Sequence, residues 1–211
     1  METTVGIVDY DYGNTQSICN ALQSLDINFI LCPSPEKLDF CTHIILPGVG
    51  SFGASMKSLE RLNFLPALNE NILKKKKFFL GICVGFQIMF SEGYEFKNSK
   101  GLSWIKGKCK KINTTKYKNL ILPHNGWNEV QNHENFELFK GNAQVDNNFY
   151  FIHSFIVTDI EKKANIISCY SDYGEKFVSA IQKDNIFGVQ FHPEKSQNNG
   201  LKFLKNFSKL K

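Results

Sequence analysis

The chain has 211 residues, of which 42% are hydrophobic and 21% charged, and its formal net charge is +5 at pH 7. This composition excludes an intrinsically disordered protein and suits one large α/β domain better than two independent ones. Of the 25 basic residues only Arg61 is an arginine. Because arginine reads phosphates and base edges better than lysine does, no nucleic-acid partner is expected.

Neither a membrane span nor a secretory signal is predicted. The longest apolar run, 78–90, is interrupted by Gly81, Gly85 and Gln87, which makes it unsuitable for crossing a membrane. The first four residues are polar and acidic and lead directly into a predicted strand. We therefore expect a soluble, cytoplasmic protein whose six cysteines are reduced. The sequence contains no Cys/His ladder, so a structural zinc site is not expected.

The first 90 residues alternate between predicted strands and helices. Strands are predicted over 4–9, 27–31, 43–46 and 78–82. Helices are predicted around 18–25, over 54–62, in a second segment that leads to Lys77, and over 84–90. This alternation predicts an α/β fold with a doubly wound, mostly parallel sheet.

From about Lys108 onward, short strands dominate the pattern. They are predicted over 108–112, 127–130, 149–153, 166–170, 178–182 and 186–191. We expect them to extend the same sheet as antiparallel or mixed additions, with a last helix over 200–210 packed on the body. No linker or repeat interrupts the chain, so residues 1–211 are predicted to form a single domain.

The segment Gly-Ile-Cys-Val-Gly at 81–85 has the form of a nucleophile elbow. Its glycines permit a tight strand-to-helix turn, which would place Cys83 at a helix N-terminus where the reactive thiolate is favoured. The N–H group of Val84 would point at the same place and could hold an oxyanion. The alternative is a buried cysteine between two packing glycines.

The segment His192-Pro193-Glu194 follows the last predicted strand. In an extended segment, residues i and i+2 face the same way, so Glu194 can accept a hydrogen bond from one ring nitrogen of His192 while the other nitrogen addresses Cys83. Lys195 would point the opposite way, towards whatever covers the site. The alternative is a strand-end histidine beside an exposed glutamate.

A glycine-rich loop, Pro-Gly-Val-Gly-Ser at 47–51, also follows a predicted strand. It would therefore lie at the same edge of a parallel sheet as Cys83, and its glycines would let a peptide N–H group reach a bound carbonyl. The loop lacks the GxxxxGK[ST] pattern, so a nucleotide site is not expected.

Together, three segments resemble the signatures of class I (triad) glutamine amidotransferases: 47–50, 81–87 and 188–194. Within that class, the segments 7–14, 123–128 and 150–154 are similar to glutaminase subunits of imidazole glycerol phosphate synthase. The likeness runs from Val5 to Phe207. It implies a single-domain, flavodoxin-like fold of the class I type, with helices on both faces of the central sheet.

The resemblance also implies roles for individual residues. Cys83 would attack the glutamine amide, His192 would move the protons, and Glu194 would hold His192. The oxyanion hole would combine the N–H groups of Val84 and Val49. The residues implied to bind glutamine are Gly50, Gln87, Glu95, His153, Ser154 and Phe155. The resemblance implies no metal and no other cofactor.

A partner subunit is implied as well. In this family the ammonia travels to a (β/α)8-barrel cyclase, which makes imidazole glycerol phosphate and an aminoimidazole carboxamide ribotide in histidine biosynthesis. The interface residues implied for a heterodimer are Asn14, Trp127 and Lys195, the last facing an acidic residue of the cyclase.

Three other functions stay open on sequence alone. A paralogous glutaminase would supply ammonia to a sugar-modifying enzyme of a surface polysaccharide pathway. A stand-alone cysteine hydrolase, such as a γ-glutamyl hydrolase or a peptidase, would act without a partner. A non-catalytic scaffold of the same fold would need none of Cys83, His192 and Glu194, so their presence argues against it.

Overall fold

The computed structural model describes residues 2–115, 120–131, 133–140 and 147–211. Its strands are β1 (Val5–Val8), β2 (Phe29–Cys32), β3 (His43–Leu46), β4 (Phe78–Ile82), β5 (Phe90–Gly93), β6 (Ser99–Lys100), β7 (Ile105–Lys111), β8 (His124–Glu129), β9 (Asn148–His153), β10 (Phe155–Thr158), β11 (Ile166–Tyr173), β12 (Glu175–Lys183) and β13 (Ile186–Val189). Its helices are α1 (Thr15–Ser24), α2 (Phe52–Arg61), α3 (Phe64–Leu68), α4 (Val84–Gln87) and α5 (Gln197–Ser208).

The largest sheet has seven strands, in the order β11-β12-β13-β4-β3-β1-β2. The five strands from β13 to β2 are parallel, and β12 and β11 continue the sheet in antiparallel pairing. Every residue of β1, β3 and β13 is buried, which requires that both faces of the sheet be covered. The predicted α/β fold, with a mostly parallel sheet and antiparallel additions, is confirmed.

Three of the later strands do not join this sheet, so that part of the sequence prediction is wrong. The segment predicted over 108–112 belongs to a separate four-stranded sheet, β10-β7-β5-β6, and those predicted over 127–130 and 149–153 form the two-stranded sheet β8-β9. Burial alternates along β7, β8 and β9. Strands of this kind have one covered face and one open face, and they do not suit the middle of a doubly covered sheet.

The predicted helices are present, with ends that differ from the prediction. The helix expected over 84–90 is only the four-residue α4, because the chain turns after Gln87 and continues into β5, which pairs with β7. The segment expected to lead to Lys77 is α3, extended by a wide helical turn over Asn69–Lys74. The last helix, α5, begins three residues earlier than predicted, at Gln197.

The order of the strands brings three predicted segments together. In the large sheet β4 lies between β3 and β13, and all three are parallel. Cys83 therefore follows the central strand, with the loop 47–51 on one side and the segment 190–194 on the other. This is the carboxyl edge of the sheet, where open α/β folds place their ligands.

Helix α5 packs tightly on the turn that carries Glu194. A Cβ atom added at Gly200 would lie 1.8 Å from the carbonyl oxygen of Pro193, so only glycine allows this approach. The 3-10 turn Pro193–Lys195 is thereby held against the first turns of the helix.

Replacing this glycine tests that packing. In a free helix Gly→Ala stabilises by about 1 kcal/mol, but here the clash with Pro193 should reverse the sign. We expect Gly200→Ala to lower the free energy of unfolding by about 1–3 kcal/mol in urea titrations. Asn198→Ala, at an exposed position of the same helix, should change it by less than about 0.5 kcal/mol. Equal stability of both variants would contradict the tight contact.

Candidate active site

The elbow places Cys83 in an unusual backbone conformation. Its φ and ψ angles are 55° and −108°, between β4 and α4, a region that non-glycine residues adopt only where the surroundings enforce it. Its backbone N–H group donates to the carbonyl oxygen of Val189 at 2.8 Å, which ties the elbow to β13. The side chain is buried, and its sulfur lies at the floor of a cavity.

His192 and Glu194 form the predicted pair. Nδ1 of His192 donates to Oε1 of Glu194 at 2.7 Å, and the two side chains are only 3% and 1% exposed. Residues 193–195 form a 3-10 turn and not an extended segment. The prediction that Lys195 points opposite to Glu194 assumed an extended backbone, and that assumption is wrong. The pairing of His192 with Glu194 is nevertheless present.

The charge of His192 follows from its neighbours. Burial on its own lowers the pKa of His192, but the Cys83 sulfur as a thiolate and the Glu194 carboxylate outweigh burial and raise that pKa to about 10. His192 therefore keeps its proton at neutral pH, and Cys83 lies beside an imidazolium ion. Because α4 is a single turn, the helix terminus expected from the sequence gives a thiolate little support, and the positive charge of His192 favours it instead.

A cavity of about 370 Å³ opens above Cys83, a volume typical of small-molecule sites. It brings together eleven of the predicted residues: Val49, Gly50, Cys83, Val84, Gln87, Glu95, His153, Ser154, Phe155, His192 and Lys195. Glu194 is not part of the wall and supports His192 from behind.

Two polar side chains of the cavity have defined partners. Nε2 of Gln87 donates to the carbonyl oxygen of Phe155 at 3.1 Å and to Oε1 of Gln190 at 3.0 Å. Both N–H bonds of Gln87 are thus used within the protein, and its amide oxygen is the atom left for a ligand. Glu95 lies at the rim, where its Oε2 accepts a hydrogen bond from the backbone N–H group of Phe52 at 2.9 Å.

The two N–H groups predicted for the oxyanion hole are both engaged elsewhere. The N–H group of Val49 donates to the carbonyl oxygen of Tyr12 at 2.8 Å, and that of Val84 donates to the carbonyl oxygen of Gly48 at 3.4 Å. The Gly48 carbonyl and the Val49 N–H group belong to one trans peptide unit and point in opposite directions. An oxyanion hole built from Val49 and Val84 stays a prediction, and it requires this peptide to rotate.

Of the three predicted interface residues, Lys195 is the one that lines the cavity. Its ammonium group is 5.9 Å from the ring centroid of Tyr150. Trp127 is 48% exposed on β8 and borders a neighbouring surface hollow formed with residues 196–199. Asn14 is the N-cap residue of α1 and half-buried. Neither Asn14 nor Trp127 is among the described residues that line the cavity.

Sequence reasoning missed several residues of the site. Pro123 and Ile152 line the cavity, and Nε2 of the fully buried Gln190 lies 3.7 Å from the Cys83 sulfur. Gln190 precedes His192 by two positions, so strand alternation contained a signal for it. His124, whose Nδ1 is 2.9 Å from Nε2 of His153, had no such signal, because this contact depends on the register of β8 and β9.

Within the described ranges, no group of three or more His, Cys, Asp or Glu side chains is arranged to hold a metal ion. None of the helices in that part of the chain has the length and apolar character needed to cross a membrane.

Known proteins share both the sequence pattern and the fold. The family model of class-I glutamine amidotransferases matches residues 6–210. The chain is 44% identical to imidazole glycerol phosphate synthase subunit HisH 1 of Campylobacter jejuni (strain RM1221), over 98% of this chain and 100% of that protein. It is 43% identical to the HisH subunit of Methanocaldococcus jannaschii, over 98% of this chain and 99% of that protein.

Solved structures agree on the fold at much lower identity. A glutamine amidotransferase superposes with a TM-score of 0.70 at 14% identity, over 96% of this chain and 98% of that one. The structure of PurLQS from Thermotoga maritima gives 0.67 at 19% identity, over 98% of both chains. The match over residues 6–210, with the elbow at the carboxyl edge of the sheet, leads to one conclusion: the chain belongs to the class I glutamine amidotransferase family.

Proposed function

We propose that this chain is the glutaminase subunit of an imidazole glycerol phosphate synthase in histidine biosynthesis. The observation that carries the proposal is the buried His192–Glu194 pair beside the strained Cys83, at the floor of a cavity of about 370 Å³. The near full-length similarity to HisH proteins supports the choice within the family. We take residues 1–211 as one glutamine amidotransferase domain that acts in the cytoplasm.

The proposed reaction uses Cys83 as the nucleophile and His192 as the group that moves the protons. The Cys83 thiolate attacks the side-chain amide carbon of glutamine, and the His192 imidazolium gives its proton to the departing ammonia. Neutral His192 then takes a proton from the water that hydrolyses the thioester, releasing glutamate. Glu194 keeps the ring oriented and stabilises its charged form throughout.

The cavity wall supplies the contacts for glutamine. The free amide oxygen of Gln87 can accept a hydrogen bond from the substrate, and the carboxylate of Glu95 at the rim suits an ammonium group. Gly50 and the backbone of residues 153–155 complete the wall. This assignment places the amide of the substrate at Cys83 and its charged end near the rim.

The oxyanion peptide offers a way to restrain the free subunit. As long as the Gly48 carbonyl accepts from the N–H group of Val84, neither predicted donor is available to the tetrahedral intermediate. Rotation of the Gly48–Val49 peptide would free Val84 and turn the N–H group of Val49 towards the cavity. We propose that docking of the partner favours the rotated form.

The proposed partner is a (β/α)8-barrel cyclase that takes up the ammonia. The exposed apolar side chains of Val49 and Ile152 line the cavity, and the exposed Trp127 borders the neighbouring hollow. Such side chains suit the buried centre of an interface. Lys195 at the mouth would meet an acidic residue of the cyclase, and Asn14 would lie at the same interface. Glutamine would enter before the barrel closes the cavity.

Replacing the nucleophile separates the two nitrogen sources. In the complex, Cys83→Ser should abolish glutamine-dependent synthesis and leave ammonia-dependent synthesis nearly intact, because only the internal supply of ammonia is lost. Both rates are measured by formation of the cyclase product. Cys19→Ala, in the middle of α1 and outside the cavity wall, is the control and should change neither rate. A Cys83→Ser enzyme that still hydrolyses glutamine would identify another nucleophile.

Replacing Glu194 tests the orienting carboxylate. Glu194→Gln keeps the shape but removes a charge that raises the pKa of His192, so that pKa should fall below about 10. Turnover should fall by roughly ten- to a thousand-fold, less than for His192→Ala. The imidazolium should then lose its proton at a lower pH, as followed by NMR. Equal inactivation by the two changes would contradict an orienting role.

Charge reversal at the mouth tests the partner assignment. Lys195→Glu should weaken partner binding roughly tenfold or more or uncouple hydrolysis from synthesis, as measured by calorimetry and by the ratio of the two products. Lys209→Glu, at an exposed position near the end of α5, is the matched control and should have no effect. If both variants bind and couple alike, Lys195 has no role at the interface.

A further inference from the structure

Gln190 lies between the nucleophile and the side chain that positions the substrate. It directly follows β13, is fully buried, and is held by its backbone N–H group, which donates to the carbonyl oxygen of Ser179 at 2.8 Å. Its Nε2 is 3.7 Å from the Cys83 sulfur, and its Oε1 accepts from Nε2 of Gln87 at 3.0 Å.

We infer that Gln190 is a further catalytic residue: its amide N–H donates to the Cys83 sulfur and stabilises the thiolate, while its amide oxygen fixes the orientation of Gln87. The inference deepens the proposed function and rests on it, since it concerns the same nucleophile. It assigns to Gln190 a contact with the reacting atom itself.

The orientation of both amide groups follows from one backbone carbonyl. The oxygen of Phe155 can only accept, so the group of Gln87 that faces it must be the NH₂. That same NH₂ faces Gln190, whose nearer atom must then be its oxygen. The NH₂ of Gln190 is left to face Cys83. A further donor, Nδ1 of His153, reaches the Phe155 oxygen at 2.9 Å and anchors the chain of bonds.

Besides His192, two groups lie within hydrogen-bond reach of the sulfur atom. As a neutral thiol, Cys83 can donate to the carbonyl oxygen of Ile152, 3.9 Å away. As a thiolate, it can only accept, and the N–H of Gln190 becomes its partner. A hydrogen bond to the ionised form favours that form, so Gln190 shifts the balance towards the thiolate.

Several titratable groups near Cys83 stay uncharged at neutral pH, so they do not mask the effect of Gln190 on the thiolate. Burial raises the pKa values of Tyr10 and Cys109, which keeps both uncharged at neutral pH. Burial and the nearby His124 lower the pKa of His153 to about 3, so it is uncharged as well. The charged groups around the cavity are then the His192 imidazolium with Glu194 behind it, and Glu95 and Lys195 in the wall. The Gln190 amide does not ionise, so it acts beside these charges as a fixed dipole.

The test is the pH dependence of Cys83 alkylation by iodoacetamide in the full chain, followed by mass spectrometry of the peptide that contains Cys83. Gln190→Leu removes the N–H group at similar size. We expect the midpoint of its profile to move up by about one pH unit, with roughly tenfold slower alkylation below both midpoints. Gln190→Glu, which sets a carboxylate against the sulfur, should move the midpoint further in the same direction.

Gln182→Leu is the matched control. Gln182 is another buried glutamine of the same sheet, with its hydrogen bonds to Glu137 and not to the active site. Gln182→Leu should not change the midpoint of the alkylation profile. Coinciding profiles for Gln190→Leu and the unmodified protein would overturn the inference, even with a shift in Gln190→Glu, and so would an equal shift in Gln182→Leu.

Two further measurements keep the result interpretable. Should Gln190→Leu fail to fold in thermal unfolding, Gln190→Met, which also lacks the N–H group at similar length, decides by the same criterion. Glutamine hydrolysis by the unmodified protein with its partner is assayed separately. Its absence would overturn the proposed function, whereas the alkylation profiles depend only on the thiolate and would still decide the role of Gln190.

Discussion

The strained backbone of Cys83 is the constraint on which the rest of the site depends. A residue at φ 55° and ψ −108° costs about 1–3 kcal/mol relative to a relaxed one, so the surroundings must hold it. The bond from its N–H group to Val189 contributes, and so does the close packing behind it. A Cβ atom added at Gly85 would lie 2.0 Å from the carbonyl oxygen of Leu46. This packing brings the ends of β3, β4 and β13 together and aims the sulfur into the cavity.

The groups on the two sides of the elbow differ in whether they already have the arrangement that the proposed reaction needs. On the β13 side, His192 and Glu194 are already paired and buried, and Gln190 touches the sulfur. On the β3 side, the Gly48–Val49 peptide still points its N–H group to Tyr12. Rotating that peptide breaks two backbone hydrogen bonds, each worth about 1 kcal/mol net. A partner therefore needs only a few kcal/mol of differential binding to shift the balance.

Much of the active site could be predicted from the sequence, because its signals are local. Cys83 lies between flanking glycines, His192 is two positions from Glu194, and each follows a strand. The partition of the later strands into three sheets could not be predicted, since it depends on pairing between distant segments, such as β7 with β10. The contact of Gln190 with Cys83 likewise needs the neighbouring order of β13 and β4. The state of the Gly48–Val49 peptide depends on a small free-energy difference that no sequence pattern encodes.

The most direct test of the central claim is covalent labelling by a glutamine analogue with a diazoketone in place of its amide. Such a reagent must be bound as glutamine before it alkylates the nucleophile. The chain is treated with its partner present, and the modified residue is located by peptide mapping. We predict one adduct, on Cys83, whose formation is slowed by added glutamine. An adduct on any of the other five cysteines, or labelling that glutamine does not slow, would contradict a glutaminase built on Cys83.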